Sequence, residues 1–344
     1  MFELLLTACL AGQPGECRTE RLPGGETLAA CREVARIGAR GFPPAFEVQS
    51  YPCVAEGTSP DFPVSEIAPG VFVHKAVHAE PTLENRGDLA NLSFVIGPEA
   101  VAVIDTGSTR AIGAALLGAI RAETELPIRY VILTHMHPDH SLGTAALTEA
   151  EHIIAHHRMA DALEARREAY LTAMARFLGP AFQGTEIVLP RTGLSAPQDL
   201  SLGGDRVLRL TPHATAHTDN DLSVLDRATG TFFAGDLVFH DHLPALDGSI
   251  LGWIAVLETL MGQPEIARVV PGHGPVALPS ETAFTPTHSY LTRLVADTRE
   301  AIAAGTPMLE AIRTVGIESR ADWLLFDVFH PRNVTAAYKE LEWE

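Results

Sequence analysis

The chain has 344 residues, 46% of them hydrophobic and 20% charged, and a formal net charge of −18. This is the composition of a globular protein, long enough for more than one average domain, and it excludes a disordered or fibrous chain. The acidic excess repels phosphate backbones and argues against a nucleic-acid partner, and no apolar run of about 18 residues is present to cross a membrane.

Phe2 to Leu10 reads as a strand. Leu6-Thr7-Ala8-Cys9 resembles a lipoprotein cleavage box, but the acidic start and short apolar core favour the strand. Glu16 to Leu22 reads as its partner, Glu26 to Gly38 as a helix, and Phe46 to Cys53 as a returning strand. Cys9, Cys17, Cys31 and Cys53 all fall in residues 1–55, and no Cys follows. Four Cys around so small a core predict two disulfides, in any of three pairings. The spacings contain no Cys-x-x-Cys pair, which argues against a zinc knuckle. Disulfides need an oxidising compartment, so the location expected is periplasmic if they form and cytoplasmic otherwise. The stretch Ala55 to Pro63, rich in Gly, Ser and Pro, reads as a linker.

Strand candidates then dominate: Val71 to Val73, Asn91 to Ile96, Ala100 to Ile104 and Arg129 to Leu133. Arg110 to Thr124 is helical by its Ile112, Leu116, Leu117 and Ile120 stripe. Glu151 to Ala155 is a short strand. Arg158 to Leu178 is the longest helix, with Met159, Leu163, Tyr170, Met174 and Phe177 on a face that reads as core packing or as the roof of a cleft. Val207 to Leu210, Leu222 to Asp226, Thr231 to Ala234 and Arg268 to Val270 form a second group of strands. Ser249 to Leu260, Thr285 to Gly305, Pro307 to Val315 and Asn333 to Trp343 are helical, with Thr306 placed to cap the third.

The most informative stretch is Thr134-His135-Met136-His137-Pro138-Asp139-His140-Ser141, directly after the apolar Tyr130-Val131-Ile132-Leu133. Alternation along an extended segment turns His135, His137 and Asp139 the same way. His140 follows where the chain turns. Imidazoles with a carboxylate suit zinc, and iron or manganese less selectively. His217, Asp236 and His273 each border a further strand, in turns bearing Gly or Thr, as catalytic groups on a rigid sheet commonly do.

This set resembles the metallo-β-lactamase-fold metallohydrolase superfamily. The matching pieces are His135-x-His137-x-Asp139-His140, then His217, Asp236 and His273 in order, and Ala102-Val103-Ile104-Asp105-Thr106-Gly107. Within it the chain looks most like the quinoprotein relay system zinc metallohydrolases, on the Cys-bearing start, Asp247-Gly248-Ser249 with Trp253, and Asn333 to Glu342.

The resemblance implies an α/β fold, a four-layer αββα metallo-β-lactamase-like sandwich. It would carry a small Cys-containing N-terminal α+β unit and a helical C-terminal extension. Expected boundaries are 1–55, 65–280 for the catalytic domain, and 281–344 packed on it. It implies two zinc ions. His135, His137 and His217 would hold one, Asp139, His140 and His273 the other, and Asp236 would bridge them. A bridging hydroxide would then cleave a small ester, thioester, lactone or amide. Asp139 and Asp236 are the expected catalytic carboxylates. Asp at 236, where some relatives have Cys, departs from the zinc β-lactamases. His240, His242, Asp247 and Trp253 are the expected substrate contacts, and Asp105 and Thr218 are placed to orient ligand imidazoles. The runner-up activity is an iron-dependent, persulfide dioxygenase-like oxygenase. The non-enzymatic alternative is a metal-bearing cofactor-binding relay protein. A small-molecule substrate and a link to a quinoprotein dehydrogenase pathway are the expected partnerships.

Overall fold

Strand β1 (Phe2–Leu10) alternates apolar residues, and Phe2, Leu4, Leu6 and Ala8 are all buried. It pairs antiparallel with β2 (Gln13–Gly25), β3 (Phe46–Ser50) and β4 (Cys53–Ala55). Helix α1 (Leu28–Gly38) begins where the Thr27 hydroxyl accepts from the Ala30 amide, an N-cap bond. It sets Leu28, Cys31 and Ala35 against Phe2 and Leu4. A disulfide joins Cys31 to Cys53. Cys9 is also disulfide-bonded, and Cys17 stands opposite it in the β1–β2 register. The computed structural model describes residues 2–10, 13–38, 46–50, 53–55 and 62–344, so most of the expected linker, at 56–61, lies outside the described residues. Two compact units emerge: Met1–Val64 with Ala114–Pro127, and Ser65–Gly113 with Ile128–Glu344.

The second unit is built on two sheets. The first takes, in chain order, β5 (Val64–Ala68), β6 (Val71–His74), β7 (Leu92–Ile96), β8 (Val101–Ile104), β9 (Ile128–Ile132), β10 (His152–His156) and β11 (Thr192–Leu194). Their spatial order is β11-β10-β9-β8-β7-β6-β5. Its central strands are apolar without alternation because both faces are covered. The second sheet runs in order from β12 (Gln198–Ser201), β13 (Val207–Pro212), β14 (Leu222–Asp226) and β15 (Thr231–Phe239) to β16 (Arg268–His273) and β17 (Leu278–Pro279). Val73, Val95, Ala102, Ile132 and Ile154 of the first sheet meet Leu208, Leu210, Val224, Phe233 and Val270 of the second in one core.

The remaining helices are α2 (Arg110–Glu123), the one-turn α3 (Pro138–Ser141), α4 (Met159–Leu178), α5 (Ile250–Leu260), the short α6 (Ser280–Ala283), α7 (Thr285–Ala303), α8 (Met308–Thr314) and α9 (Phe326–Leu341). A second core packs Phe232, Leu237 and Val269 under Trp253, Leu257, Leu291, Leu294 and Val334 of α5, α7 and α9. The fold is thus the expected α/β arrangement of two sheets with outer helices and a helical C-terminal region. Strands β5, β11, β12 and β17 are absent from the sequence reading. They are short, and β11 and β12 are mostly exposed edges without an apolar signature. Helix α8 starts at Met308 with Pro307 as its cap residue and no side-chain cap. The Thr306 carbonyl instead accepts the Tyr338 hydroxyl. Helix α9 starts at Phe326, well before Asn333, and carries Pro331 inside it. No helix among the described residues is long and apolar enough to cross a membrane.

The Cys31–Cys53 bond closes a sequence separation of 22. Cys31→Ser is expected to destabilise the N-terminal unit by about 3 kcal/mol. Denaturant unfolding followed by a probe in that unit measures this, and non-reducing peptide mapping should recover the Cys31–Cys53 pair.

Candidate metal centre

The donors come from the ends of strands in both sheets. Strand β9 runs out through Leu133 to His137, which is still extended (φ −63°, ψ 148°), and Pro138 then opens α3. His135 and His137 face the same volume as expected, but through a bend at His135 and Met136 and not by strand alternation. Asp139 is not on an extended segment: it and His140 come from the helical turn that Pro138 starts. His217 stands in the loop between β13 and β14. Asp236 lies within β15, just after Gly235, where the pairing with β16 shifts register. His273 ends β16. Gly272, beside it, can be nothing larger, because a Cβ there would collide with the Asp236 carboxylate.

These seven side chains converge as two groups: His135, His137, His217 and Asp236, and then Asp139, His140 and His273. Within each, all donor atoms lie within 4.8 Å of one another. His137 Nδ1 is 3.1 Å from His135 Nε2 and 3.0 Å from His217 Nε2. Asp236 Oδ2 is 3.7 Å from His135 Nε2, 3.5 Å from His217 Nε2 and 3.4 Å from His273 Nε2. Its Oδ1 is 3.2 Å from His140 Nε2. Asp139 Oδ2 is 3.3 Å from His273 Nε2 and 3.6 Å from His140 Nε2. Donors on one tetrahedral zinc, each about 2.1 Å from it, stand about 3.4 Å apart. The observed separations bracket that value.

The far side of each ring fixes which nitrogen faces inward. His140 donates through Nδ1 to Asp105 (2.8 Å), His217 to the Ala245 carbonyl (2.6 Å) and His273 to the Leu89 carbonyl (2.9 Å). His137 donates through Nε2 to Asp247 at 3.2 Å, so its Nδ1 points in. The Thr134 hydroxyl donates to Asp105 and accepts from His135 Nδ1. Five lone pairs are thereby aimed at one volume. His140 Nε2 and Asp236 Oδ1 are buried there without a hydrogen-bond partner. Asp105, at the end of β8, holds this arrangement from a left-handed conformation (φ 59°) that non-glycine residues adopt at a cost.

The electrostatics follow from crowding. Burial opposes charge on His140 and His273, but the nearby carboxylates, Asp236 first, outweigh it. His140 is held well above the usual histidine range and His273 is pushed up to about 9. Burial lowers His135 and His217, with neighbouring imidazoles adding to it, and His217 falls to about 3. Burial works against ionised Asp139 and Asp236 as well, yet the imidazoles around them hold both below the ordinary carboxylate range.

Residues 86–273 match the family described as the metallo-beta-lactamase superfamily. The chain belongs to that superfamily. Solved structures agree on the fold. A metallo-beta-lactamase from Pontibacter korlensis aligns with TM-score 0.54 and 20% identity, over 67% of this chain and 99% of that one. TMB-1 aligns at 0.52 and 21%, over 68% and 98%. VMB-1 aligns at 0.53 and 19%, over 68% and 98%. No curated protein matches the chain.

A cleft opens over the donors. Its cavity of about 540 Å³ is lined by His137, Asp139, Asp236 and His273, by Arg166, Tyr170, Met174 and Phe177 of α4, and by Phe329, Arg332 and Asn333 of α9. Helix α4 serves both uses open to it: Met159, Leu163 and Met174 are buried, whereas Phe177 is half-exposed on the cleft. A larger hollow of about 760 Å³, between α5 and the second sheet, holds none of the donors.

Two of the four expected substrate contacts line the cleft and two do not. His242 lines it, stacked on His273 with centroids 4.8 Å apart. Asp247 lines it while holding His137. His240 faces a separate hollow beside Tyr290 and Trp323. Trp253 is wholly buried: its indole donates to the Leu237 carbonyl (3.0 Å) and its ring abuts Phe239 and His217. It sits on the apolar face of α5 and cannot stack on a substrate. Thr218 bonds Asp221 within its own turn instead of orienting an imidazole. Burial raises Asp221 to about 7.

Sequence reasoning missed the braces. Asn91 donates to the Pro271 and Gly274 carbonyls, fixing the end of β16 around His273. Asn333 of α9 accepts from the Leu246 amide and donates to the Pro244 carbonyl, gripping the loop on both sides of Ala245. Glu340 accepts from Ser249 Oγ and from the Ile250 amide at the start of α5.

Trp253→Ala is expected to cost about 3–5 kcal/mol of stability as a buried-aromatic deletion. It should leave the ratio of kcat/KM between two substrates unchanged. A changed ratio at unchanged melting temperature would place the ring on the cleft after all. Metal uptake carries its own pH sign. Imidazoles must be neutral to bind a metal, and His273 keeps its proton up to about pH 9. Zinc uptake near pH 7 should release protons, and apparent affinity should rise with pH by about tenfold per unit for each proton displaced. Calorimetry in two buffers of different ionisation enthalpy reads that release directly.

Proposed function

We propose that this chain is a dinuclear zinc metallohydrolase that cleaves a small ester, thioester, lactone or amide. The observation that carries the reading is the inward aim of all five imidazole lone pairs, each set by a bond on the opposite nitrogen, around two buried carboxylates. His140 Nε2 and Asp236 Oδ1 stand 3.2 Å apart without good hydrogen-bond geometry, buried with no other partner, as a shared cation would leave them. A donor set of imidazole and carboxylate without thiolate suits zinc, and iron or manganese less selectively. His135, His137 and His217 would hold one ion, Asp139, His140 and His273 the other, and Asp236 both. Bound there, two divalent ions supply Lewis acidity and bring the pKa of a coordinated water towards neutrality.

The chain's own groups divide the remaining work. Asp236 reaches the two donor groups through both oxygens and sets their spacing. Asp139 lines the cleft and is placed to orient the attacking water. Burial pushes the Tyr170 phenol up, so it remains a hydrogen-bond donor on the cleft wall. Leu89, Met174, Leu246 and Phe329 keep the cavity apolar and exclude water from its sides. Kinship with the quinoprotein relay zinc metallohydrolases, and with it a quinoprotein dehydrogenase pathway link, is the finer part of this reading. Its support is that Asp247 and Asn333 of the resembling segments both meet the cleft.

Protein purified without added metal should hold two zinc ions per chain by elemental analysis. One tightly held iron and no zinc would replace hydrolysis with the oxygenase. Asp236→Ala should keep the fold but lose metal and lower turnover on an ester, thioester and lactone panel by about 100-fold or more. Near-normal turnover in that variant would rule out the two-metal mechanism.

A further inference from the structure

We infer that the substrate carries a carboxylate separated from its scissile bond by an apolar spacer, and that Arg166 and Arg332 receive that carboxylate. This rests on the hydrolase reading and specifies its substrate. The chain has 25 Lys and Arg against 43 Asp and Glu. Even so, two arginines from different helices line a cleft that opens on the metal donors. Among the described residues, neither is paired with a carboxylate. Arg166 reaches only the Ala162 carbonyl of its own helix, at 3.4 Å. Arg332 lies over the Phe329 ring, 5.8 Å from its centroid. Both guanidinium groups therefore keep most of their donors for a ligand.

Most of the acids of the cleft are engaged elsewhere. Asp139 and Asp236 face the metal donors, and Asp247 holds His137 while it also feels the Arg166 charge without a direct bond to it. Glu80 lies at the rim. Met174 and Phe177 share the α4 wall with Arg166, and Phe329 shares the α9 wall with Arg332. A ligand reaching from the metal donors to either arginine crosses this apolar surface. Guanidinium favours a planar carboxylate because it offers two parallel donors.

The test is binding of glutarate against pentanoate to the metal-loaded full chain, by calorimetry at fixed ionic strength. The two differ in one terminal carboxylate. The wild-type protein should prefer glutarate by about 10–100-fold. In the Arg166→Ala, Arg332→Ala double variant the preference should fall to within about twofold at unchanged metal content. No preference in the wild type, or a preference that survives in the double variant, overturns the inference. So does 4-phosphonobutyrate binding about tenfold tighter than glutarate, which would reassign the subsite to a phosphoryl group. If the glutarate preference behaves as expected but no ester or thioester is hydrolysed, the hydrolase reading fails and the anion subsite stands.

Discussion

Five imidazoles and two carboxylates face one another across a few ångströms in this protein, and their lone pairs would repel with neither proton nor cation between them. The fold has to hold them there before any cation relieves the repulsion. That requirement explains why the strand ends, the short turn α3 and the loop that carry the donors are all anchored in the two packed sheets. The central strands behind them are buried on both faces, and the two sheets lock together through one apolar core. Close packing of that kind deforms little, so the repulsion cannot be relaxed by spreading the rings. It shows instead as altered proton affinity, with His273 and His140 pulled up by carboxylates while His217 and His135 are driven down.

Orientation is a separate problem from position. Each imidazole has two nitrogens, and a ring held by packing alone could present either. Here backbone carbonyls at Leu89 and Ala245, and carboxylates at Asp105 and Asp247, bind the nitrogen that faces away from the cluster. The Asp105 backbone occupies a left-handed conformation while its side chain serves His140 and Thr134 together. Local cost at one residue thereby fixes two others.

The donor set was legible in the sequence because its chemistry resides in side chains at fixed spacing after apolar runs. His135, His137, Asp139, His140, His217, Asp236 and His273 could all be named from residue type and neighbours. The supports were less visible for a physical reason. Ala245 and Leu89 act through carbonyl oxygens, which every residue has, so nothing marks them. Trp253 misled because an aromatic after a ligand looks the same on paper whether it turns to the cleft or to the core. Only the register of α5 decides, and it buries the ring beneath His217. The extended segment expected from His135 to Asp139 is interrupted twice, by a bend at His135 and Met136 and by the helical turn that Pro138 begins. The edge strands escaped because exposed, short pairings carry no periodic apolar signal.

The grip of Asn333 and Glu340 on the loop from Pro244 to Leu251 separates the cluster from its support along the chain. His273 is the last of the seven donors, and the Asn333 brace on the loop that holds His217 comes 60 residues later. The aim of His217 therefore depends on a helix that carries no donor of its own. Changes on α9 that never touch the cluster can still reach it, by freeing the Ala245 carbonyl to move.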